Sequence, residues 1–489
     1  MSNILNRNNL EKLLSLRSQY TLGELVTETR EKLTSAYRDY GERYMEYLPT
    51  EEALAYQRSH PLASQPLISI VVPAYETPKL FLCQMVDSVV AQTYENWELC
   101  IADGSESRLV EETLKKQYGG EARIRYRRLA GNGGISENTN QGFAFARGAY
   151  LALLDHDDLL VPSALYEMVK RANKTGADLL YSDEDKVAGN LERYQDPHFK
   201  LDFNGEMLLG NNYICHFLMF SRELMDRTGG LDSRYDGAQD HDFVLRCSQK
   251  ARRIEHVARI LYHWRIHEDS TAGRTDSKLY AYEAGRRAVE AALKRQNQPG
   301  EVTMMKARGY FQITYPAPAK AALEIQAWGE PSRSWRKLQR KLGQELAAAG
   351  ISVTWRELLR PERYIDWKSQ PASGGRQGYI LRLNRGAVQI ETSDVLRLLS
   401  SCAREGVKAV SGKIVSGGRV QNCGFYEKRG AYHPRFYNLP AEYKGYFRRA
   451  VLSAEVDAVG NDMTVLCSGQ PEGRILVEPA AVIEIGKRL

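Results

Sequence analysis

From Pro66 onward, short apolar runs alternate with amphipathic helical stretches, and this alternation restricts the fold more than any other feature of the chain. The runs are Leu67 to Val72, Trp97 to Ala102, Ile124 to Arg127 and Tyr150 to Leu154. Between them lie a helix with Leu82, Val86, Val89 and Val90 on one face and a second helix across Ser136 to Arg147, while Pro162 is well placed to open a third. Apolar runs separated by helices predict an α/β fold, a mostly parallel sheet with right-handed crossovers and flanking helices. In such a sheet ligands bind beyond the carboxyl ends of the strands, so the residues after each run are the ones to inspect.

The first run is followed by Pro73-Ala74-Tyr75-Glu76, the second by Asp103-Gly104-Ser105 and the fourth by Asp155-His156-Asp157-Asp158. A carboxylate at Asp103 suits the N–H and O–H donors of a nucleobase or ribose, although Asp-Gly-Ser is also a common turn. Three aspartates within four residues repel one another unless a cation or solvent compensates. Hard oxygen ligands favour Mg²⁺ or Mn²⁺, which also bridge to phosphate oxygens; a solvated acidic turn is the alternative. Gly131-Asn132-Gly133-Gly134-Ile135-Ser136 opens a helix whose N–H groups can face a phosphate or ribose, but its spacing is not G-x-G-x-x-G, which disfavours a nicotinamide cofactor. Further on, Gly237 to Arg246 reads as a polar turn entering a helix. Asp240 or Asp242 there can act as a general base by position, or simply cap the helix. His263 and His267, in the tract Leu261 to Thr271, suit a metal or phosphate as well as a structural role.

The formal net charge of +6 over 489 residues is too modest, and its cations too dispersed, for a dedicated nucleic-acid binder. Seven scattered cysteines without a C-x-x-C pair indicate neither a disulfide framework nor a zinc site and suggest a reducing cytoplasm. No apolar stretch approaches the roughly 18 residues of a membrane span, so any membrane contact is expected to be peripheral, at the inner face of the cell membrane. Residues 1–65 are rich in charge and tyrosine, with Leu33, Tyr37, Tyr40 and Tyr44 at helical spacing, and read as a helical arm whose tyrosines pack on the next domain or present a partner surface.

In their order these features resemble the family 2 glycosyltransferases of the GT-A fold. The resemblance rests on Ile70 to Glu76, Ser88 to Tyr94, Trp97 to Ser105, Asn132-Gly133-Gly134, Leu154 to Asp158 and Gln239 to Arg246, and extends over about residues 66 to 290. It implies that Asp103 holds the nucleoside and that Asp155 and Asp157 form the D-x-D motif for metal and diphosphate. It further implies that Asp240 is the catalytic base and that His267, rather than His263, reaches the metal. Pro73, Tyr75, Glu76, Asn132 and His156 complete the expected donor-binding set. Two departures from the family pattern stand out: Ala102 where many members carry an acid, and Gln239 in place of the glutamate before the base. Tyr181 to Val187, with Asn211-Asn212-Tyr213-Ile214, resembles bacterial enzymes that build surface polysaccharides, and no Q-x-x-R-W motif of processive synthases is present.

A faint echo follows. Tyr379 to Gly386 parallels Tyr150 to Asp157 but carries Asn384 and Gly386 at the acidic positions, and Val407 to Lys413 with Gly418 to Gly424 resembles the second domain of tandem family 2 enzymes. The expected organisation is a helical arm over 1–65, a catalytic domain over 66–300 and a degenerate, noncatalytic GT-A-like domain over 310–489, suited to acceptor binding, dimerisation or docking to a partner glycosyltransferase. The expected activity is metal-dependent, inverting transfer from a nucleotide-diphosphate sugar to a saccharide or lipid-linked saccharide hydroxyl in surface polysaccharide synthesis. A noncatalytic nucleotide-sugar-binding scaffold is the main rival. A nucleotidyltransferase lacks its glycine-rich amino-terminal loop here, and a phosphohydrolase would need a Thr where Leu159 stands.

Overall fold

A computed structural model describes residues 39–267, 279–359, 361–366, 368–369, 378–468 and 472–486. The chain divides into two compact units, one holding the described residues of 28–203 and 212–292, the other 204–211 and the described residues of 293–489.

In the first unit the strands are β1 (Ile68–Ala74), β2 (Trp97–Asp103), β3 (Ile124–Arg128), β4 (Tyr150–Leu153), β5 (Leu159–Leu160), β6 (Leu179–Ala188), β7 (Tyr194–His198), β8 (Leu218–Ser221) and β9 (Ile254–Ile266). They form one sheet in the order β3-β2-β1-β4-β8-β6-β9-β5, with β7 paired to β6. The strands are parallel from β3 to β4 and again between β6 and β9, while β8 runs antiparallel to both neighbours. Every residue of β1 and β2 is buried, as expected of central strands covered on both faces. The register sets Ala74 beside Asp103 and Val71 beside Leu153, so the polar segments after β1, β2 and β4 emerge at one edge.

The helix Lys79–Val90 buries Leu82, Met85, Val86 and Val89, the i, i+3, i+4, i+7 stripe. Val90, expected on that face, is instead 38% exposed, and Met85 fills the stripe. Of the tyrosines in the amino-terminal arm, Tyr37 lies outside the described residues, as does Leu33. Tyr40 is buried and its hydroxyl donates to Asp185 at 2.6 Å, while Tyr44 stacks on Tyr194 at 4.1 Å.

The other unit begins with a hairpin of β10 (Glu301–Met304) and β11 (Phe311–Thr314), then β12 (Ala322–Trp328), β13 (Ser352–Leu358), β14 (Ile365–Asp366), β15 (Tyr379–Asn384) and β16 (Ala387–Ile390). It continues with β17 (Val407–Ser416), β18 (Arg419–Asn422), β19 (Phe425–Lys428) and β20 (Ala431–Pro434). It ends with β21 (Ala454–Glu455), β22 (Ala458–Val459), β23 (Met463–Cys467) and β24 (Arg474–Ile485). Its larger sheet runs β13-β12-β15-β23-β17-β24-β16 with β18 on β17, and a smaller sheet runs β14-β22-β19-β20. The larger path reproduces β2-β1-β4-β8-β6-β9-β5 strand for strand, in chain order and in every parallel or antiparallel sense. The second unit therefore repeats the sheet of the first, with no counterpart to β3 among the described residues. In this correspondence Asn384 and Gly386 stand where Asp155 and Asp157 stand in the first copy.

Residues 66–300 are not one continuous block. Asn204–Asn211, with its short helix Gly205–Gly210, groups with the second unit, where Glu206 is buried against Arg404 at 2.9 Å and Arg474 at 2.7 Å.

Candidate active site

The acidic turn after β4 is held from β9. Asp158 is buried, accepting the Arg265 backbone N–H at 2.7 Å and the Tyr262 hydroxyl at 2.5 Å, and the Arg265 Nε donates to the Asp157 carbonyl at 2.5 Å. Burial, with Asp157 and Asp155 nearby, pushes the Asp158 carboxyl well above its ordinary range. Both its oxygens are engaged, so Asp158 anchors the turn and leaves Asp155 and Asp157 to face outward. Asp157 Oδ2 meets His267 Nε2 at 2.8 Å, and the His267 ring leans on Phe81 at 5.1 Å. Burial also raises the Asp155 carboxyl; His216 opposes that rise, and Asp157 and Asp240 add to it. Asp155 Oδ2 lies 3.9 Å from His216 Nε2. Asp240, distant in the chain from Asp155 and Asp157, thus shares one electrostatic neighbourhood with them.

Asp240 sits in the first turn of the helix Gln239–Lys250. Its Oδ1 accepts the His241 N–H at 2.9 Å and its Oδ2 accepts the Asn212 amide at 2.9 Å. Asp242, the other candidate base, is fully buried and paired with Arg246 at 2.7 Å, a structural i, i+4 pair. His263 is likewise structural, buried with Nδ1 2.5 Å from Asp185.

The remaining expected donor-binding residues divide between bracing and open positions. Asp103 is fully buried; Oδ1 accepts from the Ser105 N–H at 2.9 Å and hydroxyl at 2.5 Å, and Oδ2 accepts from Tyr126 at 2.8 Å. Those three donors leave one of the carboxylate's roughly four lone-pair directions, on Oδ2, for a nucleoside. Glu76, at φ 45°, receives the N–H groups of Glu106 at 2.8 Å and Ser107 at 2.9 Å, tying the end of β1 to the loop after β2. Its carboxyl is held below the ordinary range, first by the Ser107 hydroxyl. Asn132 accepts from Gly134 N–H at 3.0 Å and Asn138 at 3.0 Å, which closes the glycine-rich loop on its own helix. Pro73 is buried in β1, Tyr75 is exposed, and His156 is half-buried with an unpartnered Nδ1.

The sequence model of the family described as "Glycosyl transferase family 2" matches residues 69–229, which hold the strand ends carrying Asp103, Asp155 and Asp157. Residues 69–229 belong to glycosyl transferase family 2. Over 436 residues the chain is 32% identical to "Uncharacterized protein y4gI" of Sinorhizobium fredii, covering 81% of this chain and 47% of that protein. It is 30% identical to "O-antigen biosynthesis protein RfbC" of Myxococcus xanthus over 78% of this chain and 32% of that protein. The chain therefore spans less than half the length of these relatives. It is also similar, at 18% identity and TM-score 0.39, to the structure of S. aureus TarS 1–349 in complex with UDP-GlcNAc, over 46% of this chain and 66% of that one.

The family 2 domain also contains a group that sequence reading passed over. Lys200, with no side-chain exposure, donates to Glu184 at 3.1 Å, to the Ile214 carbonyl at 2.9 Å and to the His216 carbonyl. His216 in turn stacks on Tyr262 at 5.0 Å, with Nδ1 3.3 Å from Glu184. The available signal was three charged or ionisable residues within otherwise buried stretches, but their pairing crosses between β6 and the approach to β8. Among the described residues, no helix is long and apolar enough to cross a membrane, and no group of three His, Cys, Asp or Glu side chains is arranged to hold a metal.

Proposed function

We propose that the chain is an inverting, metal-dependent glycosyltransferase that moves a sugar from a nucleotide diphosphate to a saccharide or lipid-linked saccharide hydroxyl in bacterial surface-polysaccharide synthesis. The observation that carries this reading is the placement of Asp155 and Asp157 directly after β4 in a family 2 domain, with the charge of Asp240, on the helix Gln239–Lys250, bearing on Asp155. The O-antigen biosynthesis name of the Myxococcus relative supports the polysaccharide setting.

The side chains fit a divalent cation chemically, since Asp155 and Asp157 supply carboxylate oxygens and the His267 nitrogen already meets Asp157 at 2.8 Å. Mg²⁺ or Mn²⁺ there would take its remaining positions from water and phosphate oxygens. Such a cation, when bound, neutralises charge on the departing diphosphate. Tyr262 and Arg265 hold the acidic turn, and Asp240 takes the acceptor proton as the new bond forms on the opposite side of the anomeric carbon. His216 and Glu184 lie behind Asp155 and fix that wall of the site.

The test is Asp240→Asn, assayed with the nucleotide sugar that gives the largest thermal shift from a panel containing Mn²⁺ or Mg²⁺. Transfer is expected to fall by about 10²- to 10⁴-fold, with the donor-induced thermal shift retained. Turnover within twofold of the native protein would overturn the assignment of the base.

A further inference from the structure

We infer that Asn212 is a positioning residue that orients the Asp240 carboxylate for proton acceptance, an inference resting on the reading of Asp240 as the base. An ionised carboxylate offers about four lone-pair directions, and it acts as a base only if a free one faces the acceptor hydroxyl. Here each oxygen of Asp240 already accepts one hydrogen bond, Oδ1 from the His241 N–H and Oδ2 from Asn212 Nδ2, both at 2.9 Å. The first donor belongs to the helix that carries Asp240, so it travels with the residue. Asn212 comes from a different segment, the approach to β8, and is the contact that fixes rotation of the carboxylate relative to the sheet.

Two further observations set Asn212 apart from a packing residue. A carboxylate accepts only, so the amide must turn its nitrogen toward Asp240, and its carbonyl oxygen is then buried with no donor among the described residues. An orphaned buried acceptor costs stability. An amide kept at that cost is retained for what its nitrogen does. The second observation concerns Gln239, which replaces the glutamate expected before the base. Its Oε1 accepts the Gly237 N–H at 2.8 Å, so this side chain is turned to the preceding loop. The amide of Asn212 is thus the side-chain donor to Asp240, in a neighbourhood that also contains Asp155 and the Cys215 thiol.

The experiment compares Asn212→Ala, Asn212→Leu and Asp240→Asn, alone and combined, using the panel-selected nucleotide sugar. Asn212→Leu keeps nearly the same shape and volume but supplies neither a donor nor a charge, so it separates orientation from packing. If Asn212 acts through Asp240, both Asn212 variants lose about ten- to a hundredfold in kcat with the KM for donor unchanged, and Asn212→Ala adds nothing on the Asp240→Asn background. A near-native Asn212→Leu beside an impaired Asn212→Ala would assign Asn212 to packing and overturn the inference. So would near-native kcat in both variants, or an undiminished loss on the Asp240→Asn background. Inactivity of the native protein with every donor, or an active Asp240→Asn, would instead defeat the underlying functional reading, and the inference with it.

Discussion

Lys200 is the residue on which the wall behind Asp155 depends. Taking its ammonium out of water is offset by Glu184 and two backbone carbonyls on the segment that leads to His216. Burial by itself would raise the Glu184 carboxyl; Lys200, then His198 and His216, overcome this and hold it well below the ordinary range. A carboxyl whose folded pKa lies below its unfolded value contributes stability that is complete above the unfolded value, near 4.3, and is lost as pH falls through the folded value. The native clamp is therefore intact at neutral pH. Lys200→Met should destabilise the domain by about 3–5 kcal/mol, since a buried carboxylate loses its partner, and the shift in urea midpoint measures it. In that variant only His198 and His216 oppose burial at Glu184, so its carboxyl should rise from its native position and the variant should lose less stability than the native protein between neutral and acid pH. A variant as stable as the native protein at both pH values would show that the pair is not stabilising. None of this was legible in the sequence, because Glu184, Lys200 and His216 carry no local pattern and meet only through the pairing of β6 with its neighbours. Asp155 and Asp157 were legible as candidates because acids clustered at the end of an apolar run are a chemical anomaly visible without coordinates, whereas an acid opening a helix is ordinary capping, so Asp240 and His267 stood out only through the family resemblance.

At the level of elements, apolar runs located β1 to β4 to within two residues, since central strands must be continuous in apolar residues and the helices between them must be amphipathic. The fate of Gly205–Gly210 was not accessible in this way. Met207, Leu208 and Leu209 say that the helix is buried, but nothing local says in which unit. That choice is made by Glu206, whose side chain is 4% exposed and bidentate to an Arg404 equally buried, with Arg404 also donating to the Tyr315 hydroxyl at 2.6 Å. Asn204 adds a reciprocal pair with the Glu455 backbone, at 3.0 and 3.1 Å. Arg404→Ala leaves Glu206 with Arg474 alone, so it should cost about 3–5 kcal/mol. Denaturant unfolding of the full chain should show the second unit melting first in this variant. Replacing Arg404 by Met and Glu206 by Leu together should recover much of the loss, because an apolar pair of similar volume needs no desolvated charge. Equal loss in the double variant would mean that Arg404 acts through contacts other than Glu206.

Across the whole molecule, two sheets with one strand path have had different fates at corresponding edges. In the second copy the Asn384 amide donates to Asp462 Oδ1 at 2.7 Å and its oxygen accepts the Gly386 N–H at 2.8 Å, so the turn is closed on itself. A Cβ at Gly386 would lie 3.0 Å from that same oxygen. The larger difference is topological. Between β8 and β9 the first copy inserts residues 222–253, including the twelve-residue helix that carries Asp240; between β23 and β24 the second has only residues 468–473, too few for such a helix. Because the Asn384 turn is closed on itself and on Asp462, placing acids there with Asn384→Asp and Gly386→Asp should not create a second donor site. It would place like charges beside Asp462 and crowd the turn, lowering stability while leaving the stoichiometry of nucleotide-sugar binding at one. Calorimetric titration with the panel-selected donor and Mn²⁺ reads that stoichiometry directly, and a second equivalent bound by the double variant would show that two substitutions suffice to open this turn to a donor.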